Sequence, residues 1–202
     1  MKSRGVLIAL VVVGGLVVLV LGVALWGVGV YNRLVSLDEG VQSAWSQVEN
    51  QYQRRAELIP NLVETVKGFA AQEKGVLLGV TEARAKVSQI TVTKEVLEDP
   101  DAFAKFQAAQ DQFSSAISRL LAIQENYPQL KSNENFLALQ NQLEGTENRI
   151  AVERRNYNQV VQAYNTSIRR VPGSLVAGFG GFREKQYFKA KEGADTAPQV
   201  KF

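Results

Sequence analysis

The stretch GVLIALVVVGGLVVLVLGVALWGVGV, residues 5–30, runs for 26 residues without a charged side chain. As a helix it reaches about 39 Å at 1.5 Å per residue, more than the roughly 30 Å of hydrocarbon in a bilayer. This length and composition predict a membrane anchor, with Trp26 and Tyr31 placed for an interfacial aromatic belt. A cleaved signal peptide is the alternative. Its apolar core is ordinarily only about 7–15 residues, and Val23-Ala24-Leu25-Trp26 is a poor small-residue cleavage site. Lys2, Arg4 and the terminal amine precede the span, whereas Arg33 is the only basic residue in the twenty that follow. That asymmetry puts the N-terminus in the cytoplasm and the soluble part outside it. Gly15, Gly22 and Gly29 recur every seven residues. A seven-residue step falls about 20° short of two full turns, so the three lie on one slowly drifting stripe. They are the candidate packing face for a homo-oligomer, although Gly5, Gly14 and Gly27 lie off it.

The anchor leaves about 170 residues, enough for one well-buried domain. The net charge of +3 is spread along the chain without a dense basic patch, which argues against nucleic acid. With no histidine and no cysteine, disulfides, thiolate chemistry, the usual zinc sites and Ser-His-Asp triads are excluded. Gly178 to Gly181 follows a helix and lacks the lysine and spacing of a nucleotide loop. No metal or cofactor is implied. Glu144 and Glu147, three apart, read as a solvated helix face, so an enzyme acting through carboxylates is the weakest reading.

After the span, Leu34, Leu37, Val41, Trp45, Val48 and Tyr52 recur at three and four, one face of an amphipathic helix continuous with the anchor. Pro60 should end or kink that rod, and a second helix is expected from about Asn61 to Ser88. Its face is Leu62, Val66, Phe69, Val76, Val80, Ala83 and Val87, with Glu73 as a charged intruder. Ile90-Thr91-Val92-Thr93 leads to Asp99-Pro100-Asp101, where either aspartate can cap a third helix with proline in its first turn. That helix carries Phe103, Phe106, Phe113, Ile117 and Leu120 and stops at Asn126-Tyr127-Pro128. A fourth, capped by Ser132 or Asn133 and about 39 residues long, shows the coiled-coil-like series Phe136, Leu143, Ile150, Tyr157, Tyr164, Val171 before Pro172-Gly173 ends it. The organisation expected is an anchor over residues 1–30, a helical domain over 31–171 and a glycine-rich, aromatic and basic tail over 172–202. From Arg169 onward seven basic residues stand against three acidic ones. Such a tail suits either an anionic membrane surface or packing on its own domain.

Several motifs then carry a resemblance: Tyr31-Asn32; Arg54-Arg55, Leu58-Ile59-Pro60-Asn61-Leu62-Val63 and Val66-Lys67-Gly68; Glu125-Asn126-Tyr127-Pro128-x-Leu130-Lys131; Leu143-Glu144-x-Thr146-Glu147-Asn148-Arg149-Ile150; Arg155-x-Tyr157-Asn158; Tyr164-Asn165; and Pro198-x-Val200-x-Phe202. In this order and spacing the chain resembles the LemA family of single-span bacterial membrane proteins, from anchor to last residue. The resemblance implies an all-α fold, an antiparallel up-and-down four-helix bundle behind the transmembrane helix, and a molecular function not established for the family. It also implies a short N-terminus outside the cell, opposite to the charge reading.

The polar residues on or beside the apolar seams are Arg55, Asn61, Glu73, Arg84, Glu147, Arg154, Arg155 and Asn158. A buried network that fixes helix register is the preferred reading, and a ligand or peptide site the alternative. The function expected is a non-enzymatic, membrane-anchored helical scaffold or interaction protein that self-associates at the lipid bilayer of the cell membrane. The alternative is a sensor or adaptor for a membrane protease or envelope-stress system, with an unidentified membrane or envelope protein as partner.

Overall fold

A computed structural model describes residues 2–189, with side chains from residue 10 onward. Pro198, Val200, Phe202 and the last basic residues of the tail, Lys191 and Lys201, lie outside the described residues. The fold is all-helical, with no strand among the described residues. Its elements are α1 (Lys2–Phe69), α2 (Lys74–Ser88), α3 (Lys94–Glu98), α4 (Pro100–Ala122), a 3-10 turn (Ile123–Glu125), α5 (Pro128–Lys131), α6 (Glu134–Arg169) and α7 (Gly173–Gly180). They form two compact units: residues 2–41 with 162–184, and residues 42–161 with 185–189.

In the first unit, α1 leaves its apolar residues from Leu10 to Val28 exposed on every side, as a helix meant for lipid would. Burial begins only at Leu34 and Val41, and the end of α6 adds Tyr164 and Ile168. Short α7 was not expected from the sequence. Gly181, in the left-handed region at φ 71°, ends it. The chain then turns so that Phe182 meets Tyr31 edge to face at 5.5 Å. A Cβ on Gly180 would lie 2.7 Å from the Phe182 ring, so a larger residue there would have to displace that ring.

In the second unit Pro60 lies inside α1 and neither ends nor restarts a helix, which corrects the expectation of a new helix from Asn61. Proline leaves the carbonyl four residues back without its donor. Here that carbonyl, Ala56 O, accepts a hydrogen bond from Arg84 Nε of α2 at 2.8 Å. Arg84→Met is therefore expected to cost about 1–2 kcal/mol. The cost should shrink when Pro60→Ala restores the backbone donor, a double-mutant cycle read by chemical denaturation. Equal costs in both backgrounds would mean that the guanidinium does not serve this carbonyl.

The helix expected over 61–88 is instead broken at residues 70–73, between α1 and α2. Phe69 is exposed and Ala70 takes the buried place. Tyr127 fastens this turn by donating to Glu73 Oε1 at 2.9 Å while accepting from Gln72 Nε2 at 2.8 Å. The caps follow the sequence: Asp99 accepts from Ala102 N at 2.7 Å with Pro100 at N1, and Asn133 accepts from Phe136 N at 2.9 Å. Regular helix in α4 stops at Ala122, short of Asn126, and Pro128 opens α5. The seven-residue series of α6 is buried through Tyr164, but α6 ends at Arg169, and Val171 is 77% exposed beyond it. The core joins Ile59, Leu62 and Val66 of α1 to Val80 of α2, Phe113 and Leu120 of α4, and Phe136 and Leu143 of α6.

Candidate functional site

The site lies within the second unit, where α1, α4 and α6 face one another. Arg55 of α1 is 1% exposed, so its charge needs partners on every side. Nη1 donates to Ser114 Oγ at 2.8 Å and to Glu147 Oε1 at 2.9 Å, and Nη2 donates to Gln110 Oε1. The rings of Tyr52 and Phe113 lie 5.2 and 5.0 Å from its guanidinium carbon, within cation–π range. A second arginine continues the network. Arg154 of α6 donates through Nε to Tyr52 Oη at 2.6 Å and pairs with Asp111 at 3.8 Å. Its guanidinium also stacks 4.9 Å from the Phe188 ring.

Phe188 belongs to a non-helical strap over residues 185–189, which carries no periodic pattern of its own. Asn158 grips it at both backbone groups, donating to Phe188 O and accepting from Phe188 N, each at 2.9 Å. Gln107 does the same one residue on, at Lys189. The two amides thus supply partners for backbone groups of the strap that belong to no helix. Lys185, one of the basic residues counted in the tail, is buried and pairs with Glu98 at 2.8 Å, in line with the reading of a tail packed on its own domain.

A cavity of about 930 Å³ opens between α4 and α6, with Arg55 at its floor and Glu147, Arg154, Arg155, Asn158 and Phe188 on its walls. Five of the eight polar candidates thus converge on one place. Three do not. Asn61 is exposed, and the Thr65 hydroxyl donates to its backbone carbonyl at 2.8 Å. Glu73 holds the α1–α2 turn, and Arg84 serves the Pro60 carbonyl. Gln110, Ser114 and Tyr52 complete the site from outside that set. Gln110 had a signal, since it occupies a core place in the series Phe103, Phe106, Gln110, Phe113, Ile117, Leu120 and is buried there.

Chemically, the cluster holds two guanidinium groups among carboxylate, amide, hydroxyl and aromatic partners. Its tyrosines are held neutral. Burial raises Tyr52 above the ordinary phenol range, opposed by the Arg154 charge, and burial alone pushes Tyr157 beyond the ordinary alkaline range. Outside the cluster, the hydrogen bond to Glu73 raises Tyr127. A phenol whose folded pKa is raised contributes stability that is complete below its unfolded value of about 10 and is lost as pH rises through the folded one. The contribution of these phenols to stability is therefore expected to be level up to about pH 10 and to fall above it. Tyr157→Phe should flatten that fall in denaturation curves taken across pH 8–11. An unchanged slope in the variant would contradict the assignment to Tyr157.

This is an all-helical protein with one helix long and apolar enough to cross a membrane among its described residues. Residues 44–202 match the LemA family, and the chain belongs to it. It is 29% identical over 182 residues to magnetosome protein MamQ 1 of Paramagnetospirillum magneticum, covering 82% of this chain and 67% of the relative. Against magnetosome protein MamQ of Magnetospirillum gryphiswaldense it is 29% identical over 189 residues, covering 84% and 70%. Protein LemA of Metamycoplasma hominis is 25% identical over 141 residues, 70% of this chain and 60% of that protein. None of these names describes an enzyme.

Proposed function

We propose that the chain is a non-enzymatic, membrane-tethered helical scaffold that self-associates in the bilayer. The observation that carries this reading is α1 itself. One unbroken helix is apolar and exposed through residue 28, and from Leu34 onward it buries one face. Its continuation is the first helix of a four-helix up-and-down bundle with α2, α4 and α6. Three sets of contacts support that topology. Arg84 near the end of α2 meets Ala56. Phe103 at the start of α4 meets Trp45, and Tyr127 beyond its end meets Glu73. On α6 the order is reversed, Glu147 meeting Arg55 and Tyr157 meeting Trp45. Lys2 and Arg4 ahead of the span support placing the bundle on the extracytoplasmic side. Relatives named for a cell structure, and not for a reaction, fit a role in organisation.

Self-association is assigned to the glycine stripe. Gly15, Gly22 and Gly29 each have open space where a side chain would stand, and small residues let backbones approach inside lipid, where apolar burial offers no drive. Native mass in nanodiscs is the test. Gly22→Leu is expected to shift the protein to smaller species, and Gly14→Leu, off the stripe, to do less. Equal masses for wild type and both variants would remove the anchor from any assembly.

A further inference from the structure

We propose that α7 is a second membrane contact, an interfacial helix that lays Leu175 and Phe179 into the headgroup layer around the anchor. The inference rests on the reading that α1 spans the bilayer. The first observation is exposure. Phe179 is 96% exposed and Leu175 62%, and the two stand four residues apart on one face of α7, with Val171 a further four residues back and 77% exposed. A patch of this kind is seldom left in water by a soluble domain.

The second observation is position, and it selects lipid as the occupant. α7 is held against α1 at both ends. A Cβ at Gly173 would touch Leu34 at 3.8 Å, and one at Gly180 would touch the Tyr31 ring at 3.2 Å. Phe182 then packs on the same ring. Tyr31 and Leu34 follow the apolar span by one to four residues, about 1.5–6 Å of helix. The polar layer between hydrocarbon and water is of that order in depth, about 5–8 Å on each side. An apolar helix face pinned at this level meets headgroups and the upper acyl chains. The surrounding charge agrees, because Arg33, Arg170 and Arg183 are exposed in the same unit, where anionic lipid would accept them. The opposite side of α7 is occupied, with Ala177 buried, so the exposed residues form the free side of a helix that is otherwise packed.

The test uses the full chain in nanodiscs of mixed zwitterionic and anionic lipid. With no cysteine in the sequence, Leu175→Cys, Phe179→Cys, Val20→Cys and Val152→Cys each give one spin label. Collision with oxygen, which concentrates in lipid, is compared with collision with a water-soluble nickel chelate. Labels at 175 and 179 are expected to favour oxygen several-fold over the label at 152, which lies on an exposed part of α6 in the second unit. The label at 20 reports the span independently. Oxygen preference at 20 with nickel access at 175 and 179 would overturn the α7 assignment and leave the spanning reading intact. Nickel access at 20 would remove both. Exclusion of both reagents at 175 and 179 would mean that protein, such as a second copy of the chain, covers the face in place of lipid.

Discussion

Trp45→Ala is expected to lower the stability of the second unit by about 3–5 kcal/mol, the usual range for truncating a large buried aromatic. Trp45 is 1% exposed and is the hub of an aromatic cluster. Phe106 and Tyr157 meet it edge to face at 5.5 and 5.7 Å, and Phe188 stacks on it at 6.1 Å. Alanine would leave a space bordered by three helices and the strap, which cannot all move in to fill it. At 2–4 °C per kcal/mol for a domain of this size, the midpoint should fall by roughly 10 °C. Trp45→Phe should cost much less. It keeps most ring contacts and removes an indole N–H that is buried without a hydrogen-bond partner, a group that itself costs about 1–3 kcal/mol. Thermal unfolding of the full chain, followed by far-UV circular dichroism, checks both. A loss under about 1 kcal/mol for alanine would mean that the cluster collapses around the gap.

Phe188→Ala separates the strap from the helices. Asn158 and Gln107 hold the strap through backbone groups that alanine retains, so the loss should come from the ring alone. Trp45 and Phe188 touch, so the double variant should lose less than the sum of the single variants.

These residues also show why some of the structure was legible in the sequence and some was not. The helices that bury one face over many turns announce themselves by period, and the caps at Asp99 and Asn133 are local chemistry written within three residues. Pro60 misled because its remedy is not local: the replacement donor comes from Arg84, twenty-eight residues away along the chain. The break at residues 70–73 falls in Ala-Ala-Gln-Glu, which contains no helix breaker. Tyr127 secures that turn from a distance. The strap is non-helical and pinned by side-chain amides, so no helical period marks Phe188 as core. Arg55 and Glu147 could be picked out as polar residues at apolar seams. That Gln110 and Ser114 would complete their coordination depends on the packing of α4 against α1, which spacing alone does not fix.

Arg55→Ala is expected to cost about 3–5 kcal/mol, the range for breaking a buried charged network. The direct ion pair supplies the smaller part. Glu147 is 37% exposed and can turn to water when its partner goes, so its screened attraction is worth about 1 kcal/mol or less. The larger part comes from what stays behind. Gln110, 4% exposed, loses the donor to its carbonyl oxygen, and the Tyr52 and Phe113 rings lose the arginine stem and guanidinium between them. If the network is structural, an apolar replacement of similar volume should restore most of the loss, because well-packed hydrophobic residues commonly match a buried ionic group in stability. Arg55→Met with Gln110→Leu is therefore expected to unfold within about 1 kcal/mol of wild type, measured by chemical denaturation. The native mass of that double variant in nanodiscs should also equal that of wild type, since the proposed association face lies in the anchor. A double variant as unstable as Arg55→Ala would mean that the register of α1, α4 and α6 depends on the charge itself and not on the volume it fills.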